Sequence, residues 1–299
     1  MARSFSIQQA LDNAVVHHAA GRLPQAERGY QQILRTSPNQ PVALHLLGVI
    51  AHQRGNNEVA VEFITKAVAI VPNYAEAHSN LGNALQDLGN LDEAVVSYRI
   101  ALVIAPNYPE AHNNLGNALR DMGKPDEAVT NYLKALAINP DYASAHYNLG
   151  NALKDSSKLD EAVVSYTKSI AINPDFANAH NNLGAVFMDL GKLHEAVASY
   201  QRALALVPDS VESHYNLAAA LKELGKLDDA VASYQKALAI APGYAEAHNN
   251  LGNVLRDMGK QDEALASFRQ ALAIAPDYPE AHSNLGNVFM VQGKLDDAV

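Results

Sequence analysis

The chain has 299 residues, and 48% of them are hydrophobic, which is the composition of a folded protein. Its formal net charge is −10, with acidic residues spread along the chain, so a nucleic-acid partner is not expected. It contains no run of about 18 apolar residues, so we expect neither export nor a membrane span. It also lacks cysteine, which suits a reducing compartment and predicts a cytoplasmic protein.

The sequence is periodic, with a step of 34 residues. The prolines that keep this step are Pro38, Pro72, Pro106, Pro140, Pro174, Pro208, Pro242 and Pro276. A fixed period of this length is typical of stacked helical repeats. Counting Ala75 as position 1, full repeats begin at residues 7, 41, 75, 109, 143, 177, 211 and 245, and a partial ninth covers 279–299. We therefore expect a single array over 1–299 that is a fragment of a longer protein.

Each repeat predicts two helices. In the repeat that begins at Ala75, "AEAHSNLGNALQDL" has helical spacing of its apolar residues and predicts a first helix that ends at Gly89. "EAVVSYRIALVIA" predicts a second helix, capped by Asp92 and closed by Pro106. Small residues at positions 8 and 20 predict close approach of the two helices. Ser157 replaces the turn glycine of its repeat, which predicts a strained or differently shaped turn.

This pattern resembles the tetratricopeptide repeat, with Leu at position 7, a small residue at 8, Gly at 15, Ala at 20, an aromatic residue at 24, Ala at 27 and Pro at 32. The resemblance extends from about Ile7 to Val299 and implies an all-α, right-handed superhelical solenoid of helix-turn-helix repeats. The chain departs from the family at position 4, where histidine replaces the usual large aromatic residue. These histidines are His78, His112, His146, His180, His214, His248 and His282.

Asparagine also recurs with the period. Position 6 holds Asn80, Asn114, Asn148, Asn182, Asn216, Asn250 and Asn284. Position 9 holds Asn83, Asn117, Asn151, Asn253 and Asn287, with alanine in two repeats. On a helix, positions 2, 6, 9 and 13 share one face, which we call the asparagine face. Stacking is expected to place it on the concave inner wall of the solenoid.

A carboxamide offers two N–H donors and one acceptor, which match a peptide group of an extended chain. We therefore predict that the asparagine face binds extended segments of other proteins. An alternative is that these asparagines hydrogen-bond to the neighbouring repeat, or persist through recent duplication alone. In the seven regular repeats, positions 2, 5 and 6 never hold Lys or Arg, so the sequence is unlike the repeats that clamp a C-terminal carboxylate.

The "AHNNLGN" segments look like the superhelix that precedes the catalytic part of O-linked N-acetylglucosamine transferases and their bacterial relatives. That resemblance implies that the position-6 asparagines hold the main chain of protein substrates. A first alternative function is therefore the substrate-recruiting arm of a glycosyltransferase. A second alternative is a scaffold that self-associates through its uncapped C-terminal end.

Three larger side chains interrupt the asparagine face near its middle. Tyr147, Met188 and Tyr215 appear there, while Ala185 and Ala219 replace two asparagines. The change predicts a patch that accepts an apolar side chain of a bound peptide, because aromatic anchors often dominate binding energy. Sequence drift is the alternative interpretation.

No catalytic motif, phosphate loop or cofactor signature occurs, so we predict that this chain is not an enzyme and binds no cofactor. Equivalent histidines on stacked helices lie about 8 to 10 Å apart. Zinc ligands lie about 2 Å from the ion. We therefore predict that the position-4 histidines pack between repeats and bind no metal.

Overall fold

The computed structural model describes residues 6–291, which contain α-helices and turns and no strand. The helices are α1 Ile7–Ala19, α2 Leu23–Thr36, α3 Pro41–Gln53, α4 Asn57–Ile70, α5 Ala75–Asp87, α6 Leu91–Ile104, α7 Pro109–Asp121, α8 Pro125–Ile138, α9 Ala143–Asp155, α10 Leu159–Ile172, α11 Ala177–Asp189, α12 Leu193–Leu206, α13 Val211–Glu223, α14 Leu227–Ile240, α15 Ala245–Asp257, α16 Gln261–Ile274 and α17 Pro279–Val291. Odd-numbered helices are the first helices of the repeats, and even-numbered helices are the second.

The all-α class and the helix-turn-helix repeats are confirmed. One detail of the prediction is wrong, because Asp92 is not the cap of α6. That helix begins at Leu91 and its cap is Asn90, which makes no side-chain cap bond. Asp92 lies within the first turn, where its negative charge faces the positive end of the helix dipole.

The chain divides into two compact units, the first ending at Ser156 and the second beginning at Ser157. The division falls inside the repeat that spans 143–176, between α9 and α10. In each unit, successive helices pack together within a repeat and then onto the next repeat. A single array over 1–299 stays a prediction. Residues 292–299, which include the end predicted to self-associate, lie outside the described residues.

Small residues bring the two helices of a hairpin together, as predicted. A Cβ atom added to Gly116 would lie 2.5 Å from the Tyr132 ring, closer than real Cβ contacts. The alanine at position 20 is fully buried in this hairpin, where it is Ala128. Four hairpins therefore close on an aromatic ring that lies against a glycine, namely those of Gly82, Gly116, Gly184 and Gly252, and a larger residue would force these helices apart.

The turn at Ser157 also bears out its prediction. Its φ of 58° makes Ser157 the one residue besides glycine with positive φ among residues 6–291. The glycines of the equivalent turns, such as Gly123 and Gly191, have φ values of 72° and 69°. A side chain in this left-handed region is strained. Ser157 therefore has the backbone conformation that glycine has in the equivalent turns of other repeats.

Candidate functional site

The buried and exposed faces of the first helices follow the predicted positions. In α7, Ala111 and Leu115 are buried at positions 3 and 7. Asn114 and Asn117 are partly buried at positions 6 and 9, and Asp121 is exposed. The other position-6 asparagines are also partly buried, whereas Asn287 at position 9 of the last described helix is exposed. The asparagine face is therefore partly covered, with exposed carboxylates along its edge.

A hydrogen bond to the preceding repeat holds most of the position-6 carboxamides. In the first unit, Asn148 Nδ2 donates to Asn113 Oδ1 at 3.0 Å. In the second unit, Asn284 Nδ2 donates in the same way to Asn249 Oδ1 at 3.0 Å. The acceptor belongs in each case to position 5, 35 residues earlier. Such pairs include Asn80 with His45, Asn148 with Asn113, Asn216 with Asn181, Asn250 with Tyr215, and Asn284 with Asn249.

One asparagine of the first unit uses a different acceptor. Asn114 Nδ2 donates to Asn83 Oδ1 at 3.0 Å. Position 5 of the preceding repeat is here the short Ser79, whose hydroxyl hydrogen-bonds to Tyr108. Asn114 thus bonds to position 9 of the preceding repeat instead of position 5. Geometry therefore supports the alternative interpretation of the asparagines as links between repeats at Asn80, Asn114, Asn148, Asn216, Asn250 and Asn284.

Position-9 asparagines bind within their own repeat. Tyr98 Oη donates to Asn83 Oδ1 and Tyr132 Oη donates to Asn117 Oδ1, both at 2.8 Å. In the second unit, Phe268 occupies the place of this tyrosine and has no hydroxyl. Asn253 Oδ1 is accordingly buried without a hydrogen-bond partner. The acceptors of Asn83 and Asn117 are occupied by the protein itself.

Tyr215 lies in a cluster of aromatic rings in the second unit. Its ring centroid is 5.7 Å from that of Tyr234 and 5.1 Å from that of Tyr244. Asn250 Nδ2 donates to Tyr215 Oη at 2.8 Å, and the Asn250 side chain also hydrogen-bonds to Tyr234. Burial is the main reason why the pKa of Tyr244 is raised to about 12. Tyr215 thus contributes to packing, and its role as a peptide anchor stays a prediction.

A row of aromatic residues occupies position 34 and was not predicted from the sequence. Its members are Tyr74, Tyr108, Tyr142, Phe176, Tyr244 and Tyr278. Each precedes a first helix directly and is partly buried. Several of them contact position 5 of their own repeat, as Tyr74 does with His45 and Tyr278 with Asn249. The signal was present, since these aromatic residues also keep the 34-residue step.

His45 contacts one member of the position-6 asparagines, Asn80, and one member of the position-34 aromatic residues, Tyr74. Its Nε2 accepts from Asn80 Nδ2 at 2.9 Å, so the ring hydrogen resides on Nδ1, which lies 2.9 Å from Tyr74 Oη. Complete burial, with a smaller effect from His18, lowers the pKa of His45 to about 4. The ring is therefore neutral at physiological pH.

The position-4 histidines hold the turn between repeats. Nε2 of each one donates to the carbonyl oxygen of the proline six residues earlier, for example His112 to Pro106 at 3.1 Å and His214 to Pro208 at 2.9 Å. This bond gives the histidines a packing role between repeats. Across the described part of the chain, no three His, Asp or Glu side chains are grouped as metal ligands.

Carboxylates at position 13 edge the asparagine face and also link repeats. Within the first unit, His52 Nε2 lies 2.8 Å from Asp87, Gln86 donates to Asp121 at 2.8 Å, and Arg120 lies 3.3 Å from Asp155. The partner is position 12 of the preceding repeat each time.

Four other residues that the sequence predicted for the site are partly buried, namely Asn151, Asn182, Tyr147 and Met188.

No helix within residues 6–291 has both the length and the apolar character needed to cross a membrane.

Sequence profiles of one family match most of the chain. The profile described as TPR repeat matches residues 50–89, 83–123, 116–157, 150–191 and 252–293. Profiles described as tetratricopeptide repeat match residues 8–28, 175–243 and 233–266. No curated protein has a sequence that matches this chain significantly.

Several solved structures share the fold. The Cut9–Hcn1 hetero-tetramer of the APC/C is 19% identical with a TM-score of 0.64, and the match covers 93% of this chain and 55% of that one. PilF of Pseudomonas aeruginosa is 22% identical with a TM-score of 0.62, covering 73% and 97%. YrrB, described as a TPR protein with an unusual peptide-binding site, is 24% identical with a TM-score of 0.55, covering 62% and 95%. The chain thus spans only about half the length of the first of these.

Proposed function

Because the chain belongs to the tetratricopeptide repeat family, whose members generally mediate contacts between proteins, we propose that its asparagine face binds extended segments of partner proteins. The observation that carries this proposal is the regular, partly buried row of carboxamides at position 6. YrrB, which has a similar fold, is described as having a peptide-binding site.

The bonds between repeats favour this function, because they orient the ligand-binding groups in advance. The bond from Asn148 to Asn113 uses one N–H of the Asn148 carboxamide. The second N–H and Oδ1 of Asn148 are then held in a fixed orientation, so a bound peptide orders less of the site. One carboxamide can thus link the repeats and bind a ligand.

The spacing of the row suits an extended ligand. Packed helices lie about 8 to 10 Å apart, and an extended chain advances about 3.3 Å per residue. Neighbouring carboxamides therefore meet peptide groups about three residues apart. Because they bind main-chain atoms, recognition depends little on the ligand's sequence. The exposed carboxylates at the edge, such as Glu110 and Asp121, favour ligands with basic side chains.

Two matched variants test the proposal. The ladder variant carries alanine at position 6, in place of Asn148, Asn216 and Asn284. The acceptor variant carries alanine at position 5, in place of Asn113, Asn181 and Asn249. Both lose the same three bonds between repeats. The acceptor variant also loses the bonds of Asn181 to Glu212 and Ser213, whereas only the ladder variant loses the carboxamides of the face. The position-5 residues are buried, so a ligand does not reach them.

The probe is a displayed library of unstructured peptides. We expect at least about a tenfold loss of affinity for selected peptides in the ladder variant and little change in the acceptor variant. Equal losses in the two variants would return the asparagines to a purely structural role.

A glycosyltransferase arm would use the same face and differs only in what is attached to the chain. The asparagine at position 6 of the seven repeats from Ala75 onward supports it, and the coding sequence beyond Val299 tests it. A downstream glycosyltransferase domain would favour this role, and a stop codon would exclude it.

A further inference from the structure

The second helices carry a feature that peptide binding on the asparagine face does not use. α6 exposes Val96, Ile100 and Val103, of which Val103 is 81% exposed. Their spacing of four and three residues aligns them on one side of the helix, over a length of about 10 Å. We call these three residues the α6 stripe.

The stripe breaks the repeat pattern. The same positions hold Thr130, Lys134 and Ala137 in α8, Val164, Lys168 and Ala171 in α10, Ala198, Arg202 and Ala205 in α12, Ala232, Lys236 and Ala239 in α14, and Ala266, Gln270 and Ala273 in α16. Apart from Val164, these residues are small or polar. Only α6 has bulky apolar residues at all three positions, and isolated exposed apolar residues would not form such a row.

A cleft of about 500 Å³ opens beside the end of the stripe. Its apolar walls include Leu102, Val103 and Leu115. Arg99 and Lys134, both exposed, also line it, and no carboxylate does. The carboxylate of Glu127 lies 4.0 Å from Arg99. The cleft has room for one large apolar side chain beneath two cations.

The second unit offers an internal comparison. An equivalent cleft of about 620 Å³ lies there, with Gln201 and Ala205 at the places of Arg99 and Val103. The cleft is thus inherent to the junction between repeats. Compared with that second cleft, the one beside α6 has the apolar row and the arginine in addition.

We infer that the α6 stripe and its cleft form a docking surface for an acidic amphipathic helix of a partner protein. Three apolar residues on one face of such a helix pack along the stripe, and a large side chain enters the cleft. Flanking Asp or Glu residues pair with Arg99 and Lys134. The same patch of a second copy would set these cations against identical cations, so charge favours a different, acidic partner.

Two synthetic helical peptides test the inference, each with leucines at i, i+4 and i+7. One has flanking glutamates and the other has flanking lysines. The stripe variant, Val96→Ala, Ile100→Gln and Val103→Ala, gives α6 the residues that α16 already has and adds no charge. Val164→Ala, at an exposed valine on α10, is the matched control. Circular dichroism establishes that all variants remain helical.

By fluorescence anisotropy at low salt, we expect the glutamate peptide to bind the native chain and the control, and to bind the stripe variant at least about tenfold more weakly. Lys134→Glu should also weaken it. The inference is overturned if the glutamate peptide does not bind, if the lysine peptide binds equally well, or if the stripe variant keeps full affinity. If sedimentation shows that the native chain is a dimer and the stripe variant is a monomer, self-association through the α6 stripe would replace the inference.

Discussion

Acid should weaken the N-terminal repeats through a single buried histidine. His45 is fully buried on α3, where it accepts a hydrogen bond from Asn80 of α5 and contacts Tyr74. A proton on Nε2 would set a second donor against the Nδ2 donor of Asn80, and the charged ring would be buried away from water. The neutral ring is therefore part of the contact between these two repeats.

The direction and size of this loss of stability follow from the difference between the pKa values of His45 in the folded and unfolded chain. In the unfolded chain His45 titrates near 6.5, and in the folded chain burial lowers its pKa to about 4. Between these values the unfolded state binds the proton and the folded state does not, so stability is lost as the pH falls from about 6.5 to about 4. A difference of about 2.5 pKa units corresponds to roughly 3 kcal/mol of unfolding free energy.

The control is His45→Asn, because asparagine accepts the equivalent bond at positions 113, 181 and 249. Native-state hydrogen exchange of the α3 amides, measured from pH 7 to pH 4.5, reports the local free energy of opening. We expect protection to fall with pH in the native chain and to fall much less in the variant. Parallel profiles, or an NMR titration of His45 with a pKa near 6.5, would refute the reasoning.

Three further substitutions test the packing by urea denaturation. Phe268→Tyr supplies a hydroxyl to the unpaired Asn253 oxygen and should raise the unfolding free energy by about 1 kcal/mol; unchanged stability would contradict that pairing. Gly116→Ala drives a Cβ into the Tyr132 ring and should cost about 1 to 3 kcal/mol, so a native-like midpoint would contradict the close approach. Ser157→Gly should stabilise by up to about 1 kcal/mol, and a loss of stability would show that the turn is unstrained.

The repeat architecture was predictable because its determinants are local and periodic. Gly89 and Pro106 closely follow the ends of α5 and α6, as their positions in the period predicted, and the apolar spacing defines the buried side of each helix. The Asp92 cap was assigned wrongly, because a turn residue one or two places earlier can cap as well and only the backbone path decides. The conformation of Ser157 followed from its position in the glycine series.

The candidate site was only half predictable. The face that carries Asn148 followed from helical spacing, but its acceptor Asn113 did not, because a contact 35 residues away depends on how repeats stack. Position 5 also varies among His, Ser, Asn and Tyr, which looks like drift in the sequence. These residues share hydrogen-bonding side chains, and that common property becomes visible only beside the next repeat.

The most direct test of the central claim observes the carboxamides themselves. Side-chain amide resonances of Asn148, Asn216 and Asn284 can be followed by NMR while a peptide selected from the library is added. The proposed function predicts that these resonances shift together with the binding isotherm, whereas those of Asn139 and Asn173, which lie away from the asparagine face in the turns before α9 and α11, stay in place. A saturable isotherm that leaves the position-6 resonances unmoved would contradict it.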